Sequence, residues 1–403
     1  MATIAANRAG SPGEVFRAFL KLGLTSFGGP IAHLGYFRDE LVVRRKWLDE
    51  SAYGDLVALC QFLPGPASSQ VGFALGLKRA GPLGALAAWT AFTLPSAILL
   101  MIFAASAAAL EGDVAQGVLH GLKLVAVAVV AQAVWGMAKS LTPDRQRAGI
   151  ALLALVLVTL LAGAFGQVAA IVLGGAAGLV LCRGEAQLGP GEVAFGVSRR
   201  VGIAALGVFV ALLLGLPVLA GLADFHALDV VDAFYRAGSL VFGGGHVVLP
   251  LLESETVVTG WVSRDAFVAG YGATQAVPGP LFTFAAYLGA VGSLPPNGAI
   301  GGLLALVAIF LPGLLILVAA LPFWDVLRRR PLAQAGMRGA NAAVVGILAA
   351  ALYDPVWTSA VLRPLDFALA AAGFVALVQF KAPPWIVVLT LAVVGGLLGW
   401  SGH

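Results

Sequence analysis

Most of the chain consists of long apolar runs that short polar or charged segments separate. A helix that crosses the hydrocarbon core of a bilayer needs about 20 apolar residues, because the core is about 30 Å thick. Nine runs approach this length, at residues 83–109, 114–138, 148–165, 167–182, 201–222, 298–323, 338–353, 365–380 and 385–400. The pattern therefore predicts a polytopic membrane protein with nine transmembrane helices.

A shorter amphipathic segment precedes the first span. Residues 14–27 place Arg17 and Lys21 one turn apart among apolar positions. This segment is too short to cross the core comfortably, so we expect a short helix that lies either at the membrane interface or inside the bundle. A second helix of the same kind is predicted around Arg236, which aligns with Lys21.

Two Pro-Gly-Pro sequences, at 64–66 and 278–280, lie in strongly apolar surroundings. Proline breaks a helix and glycine lets the chain reverse. The arms on either side of the first break, 51–63 and 67–79, each measure only about 20 Å at 1.5 Å per residue. We interpret each break as the tip of a re-entrant helical hairpin, with a single broken spanning helix as the alternative. Two such breaks at matching places in two halves indicate the binding site of a transporter.

The second half of the chain repeats the first at offsets of 214 to 218 residues. The matching pairs include Phe27-Gly28-Gly29 with Phe242-Gly243-Gly244, Trp47 with Trp261, Gln61 with Gln275, the two Pro-Gly-Pro sequences, and Leu94-Pro95 with Leu311-Pro312. This internal duplication divides the chain into a polar tail (1–13), an N-terminal repeat (14–182), a linker (183–225) that contains the span 201–222, and a C-terminal repeat (226–403).

Charge placement predicts that the two repeats have opposite orientations. The basic segment with Arg44, Arg45 and Lys46 corresponds to a segment with Glu253 and Glu255 in the second half. The acidic turn at 111–113 corresponds to three arginines at 328–330. Because cytoplasmic loops are enriched in Lys and Arg, equivalent loops should face opposite sides. The expected fold is an all-α membrane protein of two inverted repeats. Each repeat has a short amphipathic helix, a re-entrant hairpin and four transmembrane helices, and one linking helix joins the two.

Composition agrees with this class and excludes others. The 403 residues are 60% hydrophobic and 11% charged, with a mean hydropathy of +0.95, whereas soluble domains are about 25% charged. The polar start of the chain predicts no cleaved signal peptide. The two cysteines, Cys60 and Cys182, are isolated from each other and from any histidine cluster, which argues against a zinc site or a disulfide framework. The chain also contains no phosphate-binding loop motif. We expect no cofactor, no nucleic-acid partner and no ATP drive.

The motifs together resemble those of the chromate ion transporter family in its bidomain form. The resemblance rests on Phe27-Gly28-Gly29-Pro30-Ile31-Ala32-His33, Arg44-Arg45-Lys46-Trp47, Gln61 with the first Pro-Gly-Pro, and Phe242-Gly243-Gly244-Gly245-His246 with the second. It covers about residues 14 to 400. It implies a multi-pass protein of the plasma membrane, the bacterial inner membrane, that carries chromate, usually outwards for resistance. The two halves differ where Gly245 replaces Pro30 and where the histidine moves from position 33 to 246.

The ligand implied is a tetrahedral dianion, for which backbone N–H groups at helix starts and glycine turns are ready donors. At the breaks these donors would be the N–H groups of Gly65, Ala67 and Ser68, and likewise of Gly279, Leu281 and Phe282. The alternative is a purely structural role, in which the breaks only cap tight hairpins. The candidate substrate-binding residues are Lys21, Phe27, Gly28, Gly29, His33, Gln61, Pro64, Gly65, Pro66, Ser68, Lys123, Arg236, Phe242, Gly243, Gly244, His246, Gln275, Pro278, Gly279, Pro280 and Asn341.

Several of these residues have a second interpretation. Lys21 and Arg236 could neutralise the dianion or extend to the membrane interface. Lys123 aligns with Asn341, so only one half supplies a cation at that place. Histidines 33, 120 and 246 could couple proton movement to export or serve as structural donors.

The sequence favours a secondary transporter for chromate or a related oxyanion such as sulfate, working by alternating access. An anion channel with the same hairpins is the alternative, and an intramembrane enzyme is the weakest hypothesis. No paired carboxylates, metal cluster or nucleophile with a base occur at a plausible spacing. The expected partners are the oxyanion and the lipid bilayer, and the sequence leaves a homodimer open.

Overall fold

A computed structural model describes residues 10–107, 112–161, 163–183, 195–223, 225–242, 244–324 and 330–401 of the chain. The described residues form helices and connecting turns without any strand. The first half contains α1 (Pro12–Thr25), α2 (Gly29–Phe37), α3 (Glu50–Phe62), α4 (Ala67–Ala107), α5 (Asp113–Leu141), α6 (Arg145–Leu160) and α7 (Ala164–Leu181). A π-helical turn, Arg38–Arg44, continues α2.

The linking helix α8 (Arg199–Leu222) leads into the second half. This half contains α9 (His226–Ser239), α10 (Val248–Thr256), α11 (Arg264–Thr274), α12 (Phe284–Val291), α13 (Gly298–Ala320), α14 (Pro331–Ala351), α15 (Pro364–Val378) and α16 (Pro384–Trp400). Short 3-10 turns, Gly245–Val247 and Leu281–Thr283, precede α10 and α12.

Each of the nine predicted spans coincides with a helix. Among the described residues, six helices are long and apolar enough to cross a membrane, and they correspond to six of the predicted spans. The other three spans form α6, α15 and α16, which have 16, 15 and 17 residues. The end of the predicted span 83–109, the acidic turn at Glu111 and the arginines at 328 and 329 lie outside the described residues. The protein is a multi-pass helical membrane protein.

Each Pro-Gly-Pro sequence forms the tip of a helical hairpin. Asp49 caps α3 by accepting a hydrogen bond of 2.8 Å from the Ala52 N–H at the start of the helix. The second arm is the first part of α4, which kinks at Gly81. The outer ends of both arms meet, since the Arg79 guanidinium lies 5.5 Å from the centre of the Trp47 ring. The entry of this hairpin into the bilayer from one face stays a prediction.

The second hairpin closes at its outer end through the aligned tryptophan. There the Ser293 N–H, just beyond α12, donates a 2.9 Å hydrogen bond to the carbonyl of Trp261, just before α11. The arms are α11 and α12, and the break lies between Gln275 and Pro280. Both halves therefore use the same hairpin construction with a tryptophan at its base.

The helix α1 packs against the bundle along one face, and its depth in the membrane stays a prediction. Ser11 caps it by accepting a 3.1 Å hydrogen bond from the Glu14 N–H. Its apolar face, with Val15, Phe19 and Leu22, is buried and packs against α4. The segment that follows is helical, because α2 and its π-helical continuation fill residues 29–44.

The two halves interlock. The helix α5 of the first half packs against α15 and α16 of the second, and α14 of the second half packs against α6 and α7 of the first. Glycines permit this close approach: a Cβ on Gly395 would collide with the carbonyl of Gly117, and one on Gly339 with that of Gly174. Because small residues let helix backbones touch, much of the buried core lies between the halves rather than within either one.

Candidate functional site

The two hairpin tips cross at the centre of the molecule. The Gly65 N–H donates a 2.7 Å hydrogen bond to the carbonyl of Val241, and the Gly279 N–H donates a 2.9 Å bond to the carbonyl of Ser26. Val241 and Ser26 are equivalent positions, each one residue before a Phe-Gly-Gly motif. Each tip is therefore bound to the glycine motif of the opposite half. We call residues 26–30, 64–66, 241–246 and 278–280 the central cluster; Gly243 itself lies outside the described residues.

This geometry corrects the expected role of the two tip glycines. Their N–H groups were predicted to bind the anion, but both already bind backbone carbonyls. The prolines on either side have no N–H to offer. The donors left at the breaks are the first N–H groups of α4, at Ala67 and Ser68, and those at Leu281 and Phe282, which a helix start leaves without helical partners.

Both tips need glycine because of conformation and space. Gly65 and Gly279 have φ angles of +113° and +104°, which side chains rarely adopt. A Cβ on Gly65 would lie 2.9 Å from the Cα of Gly313, and one on Gly279 would lie 2.8 Å from Ser96 Oγ. Gly313 and Ser96 are equivalent, since each follows the proline inside a long helix. Each tip thus presses against the proline turn of a long helix in the opposite half.

Gln70 fixes the first tip and was missed by the sequence reasoning. Its side-chain N–H groups donate hydrogen bonds to the carbonyls of Pro64, at 2.9 Å, and Gly313, at 2.8 Å. The residue is completely buried in α4. The available signal was a glutamine inside an apolar helix four residues after Pro66, because a buried amide needs hydrogen-bond partners.

The two glycine motifs touch each other where their sequences differ. Gly28 and Gly29 have φ angles of +98° and +80° and lead into α2. The ring of Pro30 lies 3.1 Å from the place that a Cβ on Gly245 would take. Gly245 is the position equivalent to Pro30, so a second proline there would collide with the first. The departure from strict repetition therefore has a steric reason.

The histidines of the two motifs each have their Nδ1 atom near a hydroxyl group. His246 Nδ1 lies 2.6 Å from the Tyr271 hydroxyl, and His246 Nε2 lies 4.0 Å from the Cβ position of Gly29. His33 Nδ1 lies 3.4 Å from Ser68 Oγ. His246 thus belongs to the central cluster and His33 lies beside it, whereas a third histidine, His120, binds Asp366 at 2.9 Å between α5 and α15.

The first half contributes several buried polar atoms that have no hydrogen-bond partner among the described residues. They are Ser26 Oγ, His33 Nε2, Ser69 Oγ, Gln70 Oε1 and Thr93 Oγ1. Ser26 lies at the first glycine motif and His33 lies in α2. Ser69 and Gln70 lie at the start of α4, and Thr93 lies further along α4, beside Gly279. Because buried polar groups are nearly always paired, these atoms are suited to hold water or a polar ligand.

Lys21 and Arg236 are not free cations. Lys21 binds Glu40 at 2.9 Å, and Arg236 binds Glu255 at 2.7 Å and Asp232 at 2.9 Å. The carboxylate follows the cation by 19 residues in both halves. The sequence reasoning aligned the two cations and overlooked this repeated spacing, which was the signal for their partners. Glu40 also binds Arg44 at 2.7 Å and Arg45 at 2.8 Å.

The remaining predicted residues lie in different environments. Lys123 binds Asp265 of α11 at 2.9 Å, and the amide oxygen of Asn341 is buried without a partner among the described residues. Gln61 is exposed, whereas Gln275 and Phe242 are half-buried. Phe27 packs against Trp385, with ring centres 6.5 Å apart. The structure thus joins the glycine motifs, the tips and two histidines but gives the three cations carboxylate partners.

A cavity of about 1100 Å³ lies elsewhere, at the base of the first hairpin. Lys78, Arg79, Trp47 and Phe195 are among the residues that line it. Arg79 marks the outer end of the hairpin arm, so this cavity is at the opposite end of the hairpin from Gly65.

A helical bundle with two related halves and helix breaks buried at its centre defines a multi-pass membrane transport protein. The sequence profile of the family described as chromate transporter matches residues 13–179 and 228–400, so the chain belongs to the chromate transporter family. It occupies the plasma membrane as a multi-pass protein.

Curated relatives agree with this assignment. The chain is 29% identical to a chromate transport protein of Pseudomonas aeruginosa, over 96% of this chain and 91% of the relative. It is 27% identical to a probable chromate transport protein of Synechococcus elongatus, over 96% and 95%. A chromate transport protein of Cupriavidus metallidurans is 27% identical over 83% and 80%. No solved structure matches the chain.

Proposed function

We propose that this protein is a secondary transporter that exports chromate, or a related tetrahedral oxyanion such as sulfate, across the plasma membrane. Family membership and the names of the relatives support the substrate class. Chromate resistance would follow from outward transport. The proposed mechanism is alternating access, in which two inverted repeats rock about a site at their interface.

The reciprocal crossing of the two tips carries this proposal. Gly65 binds Val241 and Gly279 binds Ser26, so both breaks and both glycine motifs adjoin one central region between the halves. Movement of one half against the other must displace both tips together. A ligand held in this region would therefore be exposed to the two sides of the membrane in turn.

Neutral donors would bind the anion in this site. The N-terminus of α2 after Gly28 and the start of α4 at Ala67 present N–H groups and the positive ends of their helix dipoles. His33 Nε2 and Ser26 Oγ add buried polar atoms without partners among the described residues. Because Lys21 and Arg236 are already paired with carboxylates, we propose that they anchor α1 and α9 and leave the dianion to these donors.

Transport by purified protein in proteoliposomes tests this function. We expect saturable chromate uptake that rises when the vesicles are preloaded with chromate, because a carrier returns faster when loaded. Protein-free vesicles are the control, and sulfate and phosphate are tested as competitors. Flux that grows linearly with concentration and is insensitive to preloading would instead support the channel alternative.

Side-specific labelling tests the inverted repeats. Lys46 and Val258 are exposed and lie in equivalent segments, one before each hairpin. Cysteines at these two positions should react with a membrane-impermeant reagent from opposite sides, position 46 from the cytoplasm and position 258 from outside. The native cysteines, Cys60 and Cys182, are buried, so the unsubstituted protein is the matched background. Labelling of both positions from one side would rule out inversion.

A further inference from the structure

We propose that Tyr271 holds His246 as the neutral tautomer that carries its proton on Nε2, so that this N–H donates to the bound oxyanion. The oxyanion as ligand rests on the proposed function. The tautomer of His246 rests only on the local geometry around Tyr271. It assigns Tyr271 as a positioning residue and His246 as the group that contacts the substrate.

The first step concerns the Tyr271 hydroxyl. Tyr271 lies on α11, is completely buried, and packs edge-on against Phe284 with ring centres 5.5 Å apart. Among the described residues, His246 Nδ1 at 2.6 Å is the hydrogen-bond partner found for this hydroxyl. A buried O–H that does not donate loses a hydrogen bond at considerable cost. The hydroxyl must therefore donate to Nδ1, which then accepts and carries no proton.

The second step follows from imidazole chemistry. In a neutral histidine one ring nitrogen donates and the other accepts. With Nδ1 accepting from Tyr271, the proton resides on Nε2 and that atom becomes the donor. The doubly protonated ring would leave the tyrosine proton without an acceptor, so the same contact disfavours it.

The third step is the direction of Nε2. This atom lies 4.0 Å from the Cβ position of Gly29, beside the turn where α2 begins. The first N–H groups of a helix point out of its start. The Nε2–H of one half and the α2 start of the other therefore converge on the same space, and glycine at position 29 leaves that space open.

His33 supplies an internal contrast. Its Nδ1 neighbour is the Ser68 hydroxyl at 3.4 Å, a longer contact than that between His246 and Tyr271. Ser68 Oγ can rotate to donate or accept, so it does not select a tautomer of His33. This hydroxyl contact therefore gives His33 no equivalent of the contact between His246 and Tyr271.

A site built from N–H donors has a consequence for selectivity. Chromate and sulfate as dianions only accept hydrogen bonds, whereas phosphate near neutral pH keeps an O–H that needs an acceptor. The central cluster itself contains no Asp or Glu that could accept this O–H. We therefore expect fully deprotonated oxyanions to bind and phosphate to compete poorly.

Two substitutions of His246 separate the ring nitrogens. The amide of His246→Gln reaches the place of Nε2, whereas that of His246→Asn reaches only the place of Nδ1. Titration of thermal stabilisation by chromate should show a loss of affinity of about tenfold or more for Asn, because a hydrogen bond to a charged group is removed. The Gln variant should lose clearly less. Equal losses for the two variants would overturn the contact with substrate.

Nitrogen NMR of histidine-labelled protein tests the tautomer without any ligand. The chain has five histidines, and the His246→Gln variant identifies the resonances of His246. We expect an unprotonated Nδ1 and a protonated Nε2 in the wild type, and a second tautomer in Tyr271→Phe. Tyr287→Phe is the matched control, because this buried tyrosine donates to the Ala266 carbonyl at 3.0 Å and not to a histidine.

The outcomes distinguish this inference from the proposed function. A wild-type protein that binds chromate but has its His246 proton on Nδ1, or an unchanged spectrum in Tyr271→Phe, overturns the inference alone. A wild-type protein that binds no oxyanion overturns the proposed function and the substrate contact together, and the NMR result then decides the tautomer by itself.

Discussion

Alanine at Gly65 or Gly279 is expected to abolish chromate transport and to destabilise the protein. Both residues have positive φ angles, and the added methyl group would press on the Gly313 backbone or on Ser96 Oγ. Left-handed backbone costs an L-residue about 1–2 kcal/mol, and overpacking adds about 1–3 kcal/mol. Transport in proteoliposomes and thermal unfolding in detergent measure the two effects.

Gly112→Ala is the matched control for the tips. Gly112 has a φ of +98° but no atom near the position of an added Cβ, so this variant carries the conformational strain without the crowding. It should keep transport and lose only the smaller amount of stability. If the tip variants transport as well as Gly112→Ala, the crossed tips have no part in transport.

Replacing Arg236 by glutamine is expected to cost up to about 3 kcal/mol of stability, the low end of the range for breaking a buried ion pair, because the Arg236 side chain is itself 32% exposed. The side chains of Glu255 and Asp232 are only 8% and 11% exposed. Without the guanidinium, two nearby buried carboxylates would lack their cation. The amount of folded protein and its thermal unfolding midpoint should both fall.

Lys21→Gln is the natural comparison, because it removes the equivalent cation from the first half. Glu40 keeps Arg44 and Arg45 as partners, and the Lys21 side chain is 49% exposed. Its loss should therefore cost less than about 1 kcal/mol, as for exposed pairs.

A second substitution separates the anchoring role of Arg236 from substrate binding. Glu255→Gln added to Arg236→Gln removes both charges of the main pair, and replacing both partners together is far milder than replacing one. We expect the double variant to recover its transport and part of its stability, because Asp232 still lacks its cation. A double variant that is stable yet binds no chromate would return Arg236 to the substrate site.

The repeats are alike in backbone and different in side chains. Both have a hairpin closed at a tryptophan, a glycine at the tip and a cation 19 residues before its carboxylate. Pro30 faces Gly245, and His246 has a tyrosine where His33 has a serine. The central cluster is therefore pseudo-symmetric in its backbone and asymmetric in its polar side chains.

The sequence by itself determined the helices, the breaks and the duplication. Apolar runs of the right length must form helices in a bilayer, since every backbone group there needs an internal partner. Proline and glycine end helices through their own covalent geometry, so the breaks at Gly65 and Gly279 were also predictable. The family motifs are local and could be recognised from the order of residues such as Phe27 to His33.

Only the tertiary structure decided which groups meet. Gly65 binds Val241, 176 positions further along the chain, and Gln70 binds Gly313 across 243 positions. Local periodicity contains no information on such pairs, because it fixes the face of a helix and not the neighbour of that face. The same holds for charge. The sequence aligned Lys21 with Arg236 in the two short helices, but whether a cation is free for a dianion depends on the carboxylate that folding brings beside it.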